Sequence, residues 1–345
     1  MKKINLILVI LFLLIGAQAQ QLQDYAQTQQ KEFPLGEQTL VRISNQFGMV
    51  KVENWDKPVL LVEVTIKASS NDKKRADRML EAVEVSMQEQ GDEIVLKTKL
   101  GKMPQRNKKE TFSVDYVVKL PAKTPMKISN EFGNIAAEKR TGDFEMNLSY
   151  GSFALMGLEG NTNKLNIAFS KGNVQYFADA DIKLSYSTLN ADRAGSLEVF
   201  SEFSHMNIKL LTEANITSSY DEISIGTIEQ LTAKGEFSTF KLDELGERFQ
   251  GAFNYGSVKV KSLSDRFQLC DVSVDFSSLS IENTRQINFK KAEVIIENGG
   301  FNYPNRWSLK TEKPDYTTTK YTAVDAQAKG QLFRVSAKYS SVKVM

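Results

Sequence analysis

The sequence predicts an all-β chain, a single-stranded β-solenoid (β-helix) with coils of about 17–19 residues and an N-terminal cap that contains a short amphipathic helix. Three observations carry that prediction. One motif recurs throughout: an aromatic residue, then Gly or Ser, then apolar residues at the third and fifth positions beyond the aromatic, as in Tyr186-Ser187-Thr188-Leu189-Asn190-Ala191. From Phe132 to Tyr255 the aromatics are spaced 18, 19, 17, 17, 17, 17 and 18 residues apart, a period short enough for stacked coils. Apolar residues alternate on both sides of each aromatic but fall out of step by one across it, which a flat strand cannot do and a corner can.

The first residues read as an export signal. Lys2 and Lys3 open the chain, Ile4 to Ile15 is an apolar run broken only by Asn5, and Ala17-Gln18-Ala19 is a small-x-small cleavage site, so residues 1–19 are expected to be removed after Ala19. A run of twelve residues is too short for a spanning helix, which needs about 20. No Cys follows for lipid attachment, and no later apolar stretch suggests a transmembrane segment in the mature chain. The formal charge of +2 belongs to the signal, because removing Lys2 and Lys3 leaves 42 basic against 42 acidic side chains. That balance argues against nucleic acid as a partner. The single cysteine, Cys270, cannot form an internal disulfide and falls in the apolar series Cys270, Val272, Val274, so it reads as a buried small hydrophobe.

Residues 20–38 are polar and Gln-rich, a loose lead-in. Residues 39–125 form the expected cap. It holds the first motif copy at Phe47, a strand from Val59 to Lys67, and a helix over about 72–84 begun by Asp72 with Ala76, Met79, Leu80 and Val83 on one stripe. A hairpin turning at Gly91-Asp92 follows, then a basic Lys102–Glu110 loop and a strand from Phe112 to Leu120. A cap is expected because an open terminal coil is an exposed sheet edge.

Residues 126–298 form the regular solenoid. Its expected structural aromatic ladder is Phe132, Tyr150, Phe169, Tyr186, Phe203, Tyr220, Phe237, Tyr255, Phe276 and, after an interruption, Tyr339. Leu197, Val199, Ser201 and Phe203 share one face, followed by Met206, Ile208 and Leu210, so the bend is placed at Ser204-His205 and the aromatics are expected inside the core. Asp221 replaces Gly or Ser in one corner, and Asn298 takes an aromatic slot. The outward positions beside the corners are Thr188 and Asn190, His205 and Asn207, Glu222 and Ser224, Thr239 and Lys241, Ser257 and Lys259, Ser278 and Ser280, a polar face low in charge. In the C-terminal part, 299–345, the 41 residues from Asn298 to Tyr339 leave room for two coils or for one coil with an irregular insertion.

The sequence offers no catalytic, cofactor-binding or metal residues. His205 sits at an outward corner with no evident base partner, and one His and one Cys cannot build a zinc site. Asp221 with Glu222, or Asp243 with Glu244, could supply the carboxylates of a carbohydrate-active β-helix enzyme, yet neighbours on a strand face opposite ways.

The stretch Ser44-Asn45-Gln46-Phe47-Gly48-Met49-Val50-Lys51-Val52, then Trp55-Asp56-Lys57-Pro58, the helix from about Asp72, Gly91-Asp92-Glu93-Ile94-Val95-Leu96 and the repeats resemble the putative-adhesin family of bacterial envelope proteins. That is a family of unknown function that includes auto-transporter adhesin-head-like domains. The resemblance covers most of the mature chain and implies a right-handed β-solenoid in the cell envelope, with no catalytic residues and no cofactors. It implies an exported, non-enzymatic protein in the periplasm or at the cell surface, whose partner is an envelope protein or a surface glycan. The alternatives are the carbohydrate-active enzyme and a periplasmic regulator of envelope stress signalling.

Overall fold

A computed structural model describes residues 22–104, 109–282, 289–324 and 331–345. The signal segment 1–19 and the middle of the Lys102–Glu110 loop lie outside the described residues. The chain is all-β, with 26 strands in one sheet and one helix, α1 (Lys73–Glu81), among the described residues.

The regular part consists of rungs, each a pair of strand segments meeting at an aromatic corner. The strands Lys171–Ser185, Thr188–Glu202, His205–Ser219 and Glu222–Glu236 are 15 residues each and pair in parallel with their successors in sequence. Leu189 lies opposite Met206, Met206 opposite Ile223, and Ile223 opposite Phe240, so equivalent residues of successive rungs line up. The interior is therefore filled by columns of apolar residues, as at Leu189, Met206, Ile223, Phe240 and Val258, all buried. Burial of such side chains contributes about 1.5–3 kcal/mol each. Cys270 is one of them, and burial pushes its thiol pKa up.

The corner geometry corrects the expectation for the aromatics. Ser201 and Ser204 both point inward, while Glu202 and Phe203 between them both point out. The parity slip thus lies two residues earlier than the alternation suggested, at Glu202-Phe203 and not at Ser204-His205. It occurs because the aromatic itself is left-handed: Phe132, Tyr150, Phe169, Tyr186, Phe203, Tyr220, Phe237, Tyr255, Phe276 and Tyr339 all have φ between 49° and 58°. The pattern shifts at that residue, and the ring is left outside, 39–52% exposed. Asn298 occupies the same slot at φ 51° and is a residue type that tolerates this region.

The rings nonetheless stack. From Phe47 to Tyr339 neighbouring rings lie parallel within 15°, with centroids 4.8–5.0 Å apart. That spacing is the strand separation, so each ring covers the faces of its neighbours and only edges meet water. Stacking contributes about 0.5–1.5 kcal/mol per pair, which offsets a left-handed backbone costing about 1–2 kcal/mol per residue. Tyr220→Ala should therefore be more destabilising than Tyr220→Gly, because both lose the two stacked neighbours and only glycine relieves the strain. Urea denaturation of the two variants checks that order.

A second column runs just inside the first. The Gly151 N–H donates to Ser170 Oγ (3.0 Å), Ser170 N–H to Ser187 Oγ (3.2 Å) and Ser187 N–H to Ser204 Oγ (3.0 Å). Each serine hydroxyl in turn donates to the carbonyl two residues back, as Ser187 does to Ser185 (2.7 Å). Where the corner residue is glycine the space is smaller still, since a Cβ on Gly133 would lie 1.9 Å from the Gly48 carbonyl oxygen. Asp221 occupies this column as a buried carboxyl: its Oδ1 accepts from Ser204 N–H (2.6 Å) and its Oδ2 from Ser218 Oγ (2.8 Å). Burial raises its pKa against the pull of those bonds. The folded chain holds that proton more tightly than an unfolded one. Asp221 therefore favours folding most below the ordinary carboxylate range, and the benefit is lost as the pH rises through its raised pKa. Asp221→Ser should raise stability at neutral pH by about 1 kcal/mol and narrow its advantage below about pH 4, measured by urea denaturation across pH.

At the N-terminal end the Phe47 rung (Leu40–Gln46 and Met49–Asn54) is not terminal. It lies between the Phe132 rung and the strands Glu93–Leu100 and Thr111–Leu120, which continue the parallel order. Antiparallel strands finish this end: Val83–Gln90 on Glu93–Leu100, and Val59–Ser70 on Thr111–Leu120. The helix α1 joins Val59–Ser70 to Val83–Gln90 and buries Ala76, Met79 and Leu80. Asp72 caps it by accepting from Lys74 N–H (2.9 Å), and the helix ends at Glu81, so Val83 belongs to the next strand. Glu110, at the end of the basic loop, is buried and paired with Arg75 at 2.8 Å. The loose lead-in is also corrected: Gln23–Pro34 is a strand paired antiparallel along Val59–Ser70. Its Gln and Thr side chains stay in water while the backbone takes the ladder bonds.

The C-terminal end departs from sequence order. The strands Leu332–Lys338 and Ser341–Val344, on either side of Tyr339, pair with Leu269–Asp275 and Ser278–Ile281 of the Phe276 rung. Their other edges pair with Lys291–Glu297 and Gly300–Asn302 of the Asn298 rung. The last rung in sequence is thus the second to last in space. The intervening excursion forms the hairpin of Lys310–Glu312 and Thr318–Val324, which lies antiparallel on the outer edge of Lys291–Glu297.

Candidate interaction surface

Because equivalent residues align, the outside of the molecule consists of side-chain rows. Beyond the aromatic row lies one that includes Thr188, His205, Glu222, Thr239 and Ser257, and beyond that one with Asn173, Asn190, Asn207, Ser224, Lys241 and Lys259. The second of these rows floors a groove of about 940 Å³ that crosses several rungs. Asn190 Nδ2 donates to Asn173 Oδ1 (3.0 Å) and Asn207 Nδ2 to Asn190 Oδ1 (3.1 Å). Along the rim, Asp192 pairs with Lys209 at 2.7 Å and Asp243 with Lys261, with Gly226 between the two pairs. A Cβ on Gly226 would come 2.4 Å from the Lys209 carbonyl oxygen, so the rim dips there by necessity. The same face continues past Asn173 into a second hollow of about 410 Å³ lined by Ala136, Ala154 and Met156.

The expected outward positions all sit on this surface, but the carboxylates weighed for catalysis do not gather. Asp221 is buried in the corner column, whereas Glu222 is outside against Lys241, which holds its carboxyl below the usual range. Asp243 is committed to Lys261. His205 does have a carboxylate neighbour that the sequence did not suggest: Glu222 of the next rung, 3.6 Å away, at an exposed position. Among the described residues no three His, Cys, Asp or Glu side chains are grouped as a metal site. Nor is any helix among them long and apolar enough to cross a membrane. The faces of the aromatic ladder are closed by stacking, so sugar rings have edges alone to meet there. The groove was not anticipated, although the recurrence of Asn at 173, 190 and 207 carries its signal.

No protein-family model matches the chain, and no curated protein matches it. Among solved structures it is similar to a putative adhesin from Parabacteroides distasonis, at 12% identity over 72% of this chain and 96% of that one, with a TM-score of 0.38. It is also similar to a putative cell adhesion protein from Clostridium sporogenes, at 10% identity over 93% and 99% of the two chains, with a TM-score of 0.19. A putative lipid binding protein from Parabacteroides distasonis is similar at 9% identity over 92% and 96%, with a TM-score of 0.31. The chain is thus similar to solved bacterial structures named as putative adhesins or cell adhesion proteins.

Proposed function

We propose that the chain is an exported, non-catalytic protein of the cell envelope that winds into a single-stranded β-solenoid and uses its outer face as a binding or scaffolding surface. The observation that supports this best is the in-register run of long parallel strands: each pairs with its own successor after a two-residue corner, as Ser185 does with Glu202 across Tyr186-Ser187. A chain that meets itself one rung later on every pass builds rows of outward side chains, and a surface of that kind is suited to extended partners. The carboxylates that an enzyme reading would need are spent on structure: Asp221 in the corner column and Asp243 in a pair with Lys261. The antiparallel N-terminal strands with α1 serve as the cap, and the Lys310–Glu312 and Thr318–Val324 hairpin covers the other end.

Export is supported by the Lys2-Lys3 start, the apolar run and Ala17-Gln18-Ala19. Fractionating cells that produce the full chain, with protease shaving of intact cells, tests the placement. A mature protein beginning at Gln20 and recovered from the envelope is the expected result. Recovery of uncleaved chain from the cytoplasm would refute export.

A further inference from the structure

The charge of the outer surface is not evenly spread. The groove gathers four lysines, Lys209, Lys241, Lys259 and Lys261, with Asp192 and Asp243 in its lining and the carboxylates of Glu222 and Glu282 at its flanks. On another face a smaller hollow is lined by Asp179, Asp181, Glu198 and Glu213 with no lysine or arginine. In a chain with 44 basic and 42 acidic residues, this is segregation rather than excess. The groove lysines are held by exposed ion pairs, Lys241 by Glu222 and Lys259 by Glu282 (3.0 Å) from outside the lining, Lys209 by Asp192 and Lys261 by Asp243. Exposed pairs of that kind contribute little, so a ligand carboxylate can replace a partner at small cost.

The other half of the floor has a different chemistry. Along Asn173, Asn190 and Asn207 each amide bond within the row uses one N–H and one oxygen lone pair. A primary amide has two donors and two acceptor sites, so unspent donors and acceptors repeat along the row at the strand spacing of about 4.8 Å. Ring hydroxyls of a linear sugar polymer recur with every sugar, at a similar interval, and acetamido groups with every second one. At the centre, Ser224 and Gly226 leave the surface low enough for a ring to sit between Lys209 and Lys241. Beyond Asn173, Ala136, Ala154 and Met156 offer an apolar bed for the less polar face of a sugar ring.

We infer that this groove binds a linear glycan carrying uronic acids, with neutral sugars over the asparagine row and carboxylates at Lys241, Lys259 and Lys261. The inference rests on the surface-binding reading above and names its ligand class. It puts the sugar site on the amide and lysine rows and leaves the aromatic ladder out of it.

The test is calorimetric titration of the full-length mature chain with a hyaluronan oligosaccharide, a neutral cello-oligosaccharide and vesicles of anionic phosphatidylglycerol. Hyaluronan should bind, weakening at least about tenfold as salt rises from about 0.05 M to about 0.5 M. The K241Q/K259Q double variant should lose about tenfold in affinity for hyaluronan, and so should N190A/N207A, with both variants melting like the parent. A control pair on the acidic face, D181N/E198Q, should bind unchanged. Absence of hyaluronan binding at low salt, binding indifferent to K241Q/K259Q, or capture by the vesicles in place of the glycan would each overturn the assignment. A protein that still fractionates to the envelope in those cases has lost the glycan site and kept the surface role, so the two failures are distinguishable.

Discussion

Removing residues 331–345 should leave the repeats folded and set the preceding segment, 289–324, loose. The Tyr339 rung fills the slot between the Phe276 and Asn298 rungs, and its Phe333, Val335, Ala337, Val342 and Val344 are buried there. At about 1.5–3 kcal/mol for each large apolar side chain, the rung contributes on the order of 6–12 kcal/mol to this end of the molecule. Without it the Asn298 rung faces a gap one strand wide and has nothing to pair with on that side. Contacts in a stacked array are with nearest neighbours, so the loss should stay local. Limited proteolysis with mass spectrometry checks this. The expected product is a resistant fragment ending near Ile281, with rapid cleavage within 289–324. Global unfolding of the truncated chain would contradict it. The out-of-order rung also means that the Asn298 rung can dock only after the last residues have folded.

The second large effect is expected at Arg140, which is fully buried. Its Nη1 donates to Asn54 Oδ1 (2.6 Å), and its Nη2 donates to the carbonyls of Pro121 and Thr124 (2.9 Å each). Burial lowers its pKa to about 10, with Glu138 the nearby charge that opposes the shift. The guanidinium therefore works as a fork-shaped hydrogen-bond donor that pins the turn after Leu120 and the end of the Met49–Asn54 strand to the Phe132 rung. Arg140→Ala removes the donor, leaves three oxygens without it and opens a cavity, which should cost about 3–5 kcal/mol. The drop appears as a lower urea midpoint at an unchanged slope, with faster hydrogen exchange at Thr124 and Met126. A variant within about 0.5 kcal/mol of the parent would show the fork to be dispensable.

Much of the repeat was legible from spacing alone, since the 17-residue register from Tyr186 to Phe237 sets which residues stand opposite one another. What alternation could not reveal was the handedness of one residue per rung. A left-handed backbone at Phe203 moves the parity slip back by two positions, and with it the ring from core to surface. Propensity argues against that reading, because left-handed positions favour glycine and asparagine, and stacking between rungs overrides it. The strand over Gln23–Pro34 was hidden for a related reason: its partner, Val59–Ser70, is distant in sequence and supplies the order that a Gln-rich segment lacks alone. The sandwiched positions of the Phe47 and Tyr339 rungs are likewise facts about partners far along the chain, to which local pattern is blind. The groove combines both cases. Its Asn row repeats visibly, while its depth comes from Ser224 and Gly226 meeting lysines of neighbouring rungs.

The ladder rings stack in the open while apolar columns fill the interior, and tyrosine nitration reads that directly. Tyr150, Tyr186, Tyr220, Tyr255 and Tyr339 are each about half exposed, whereas Tyr116 is fully buried, bonded to Thr98 at 2.8 Å, with its pKa pushed up to about 12 by burial. Treating the native protein with tetranitromethane and mapping the products by mass spectrometry should find the five ladder tyrosines modified and Tyr116 spared until denaturant is added. Protection of the ladder tyrosines in the native state, at a level matching Tyr116, would place the rings inside and contradict the outward ladder.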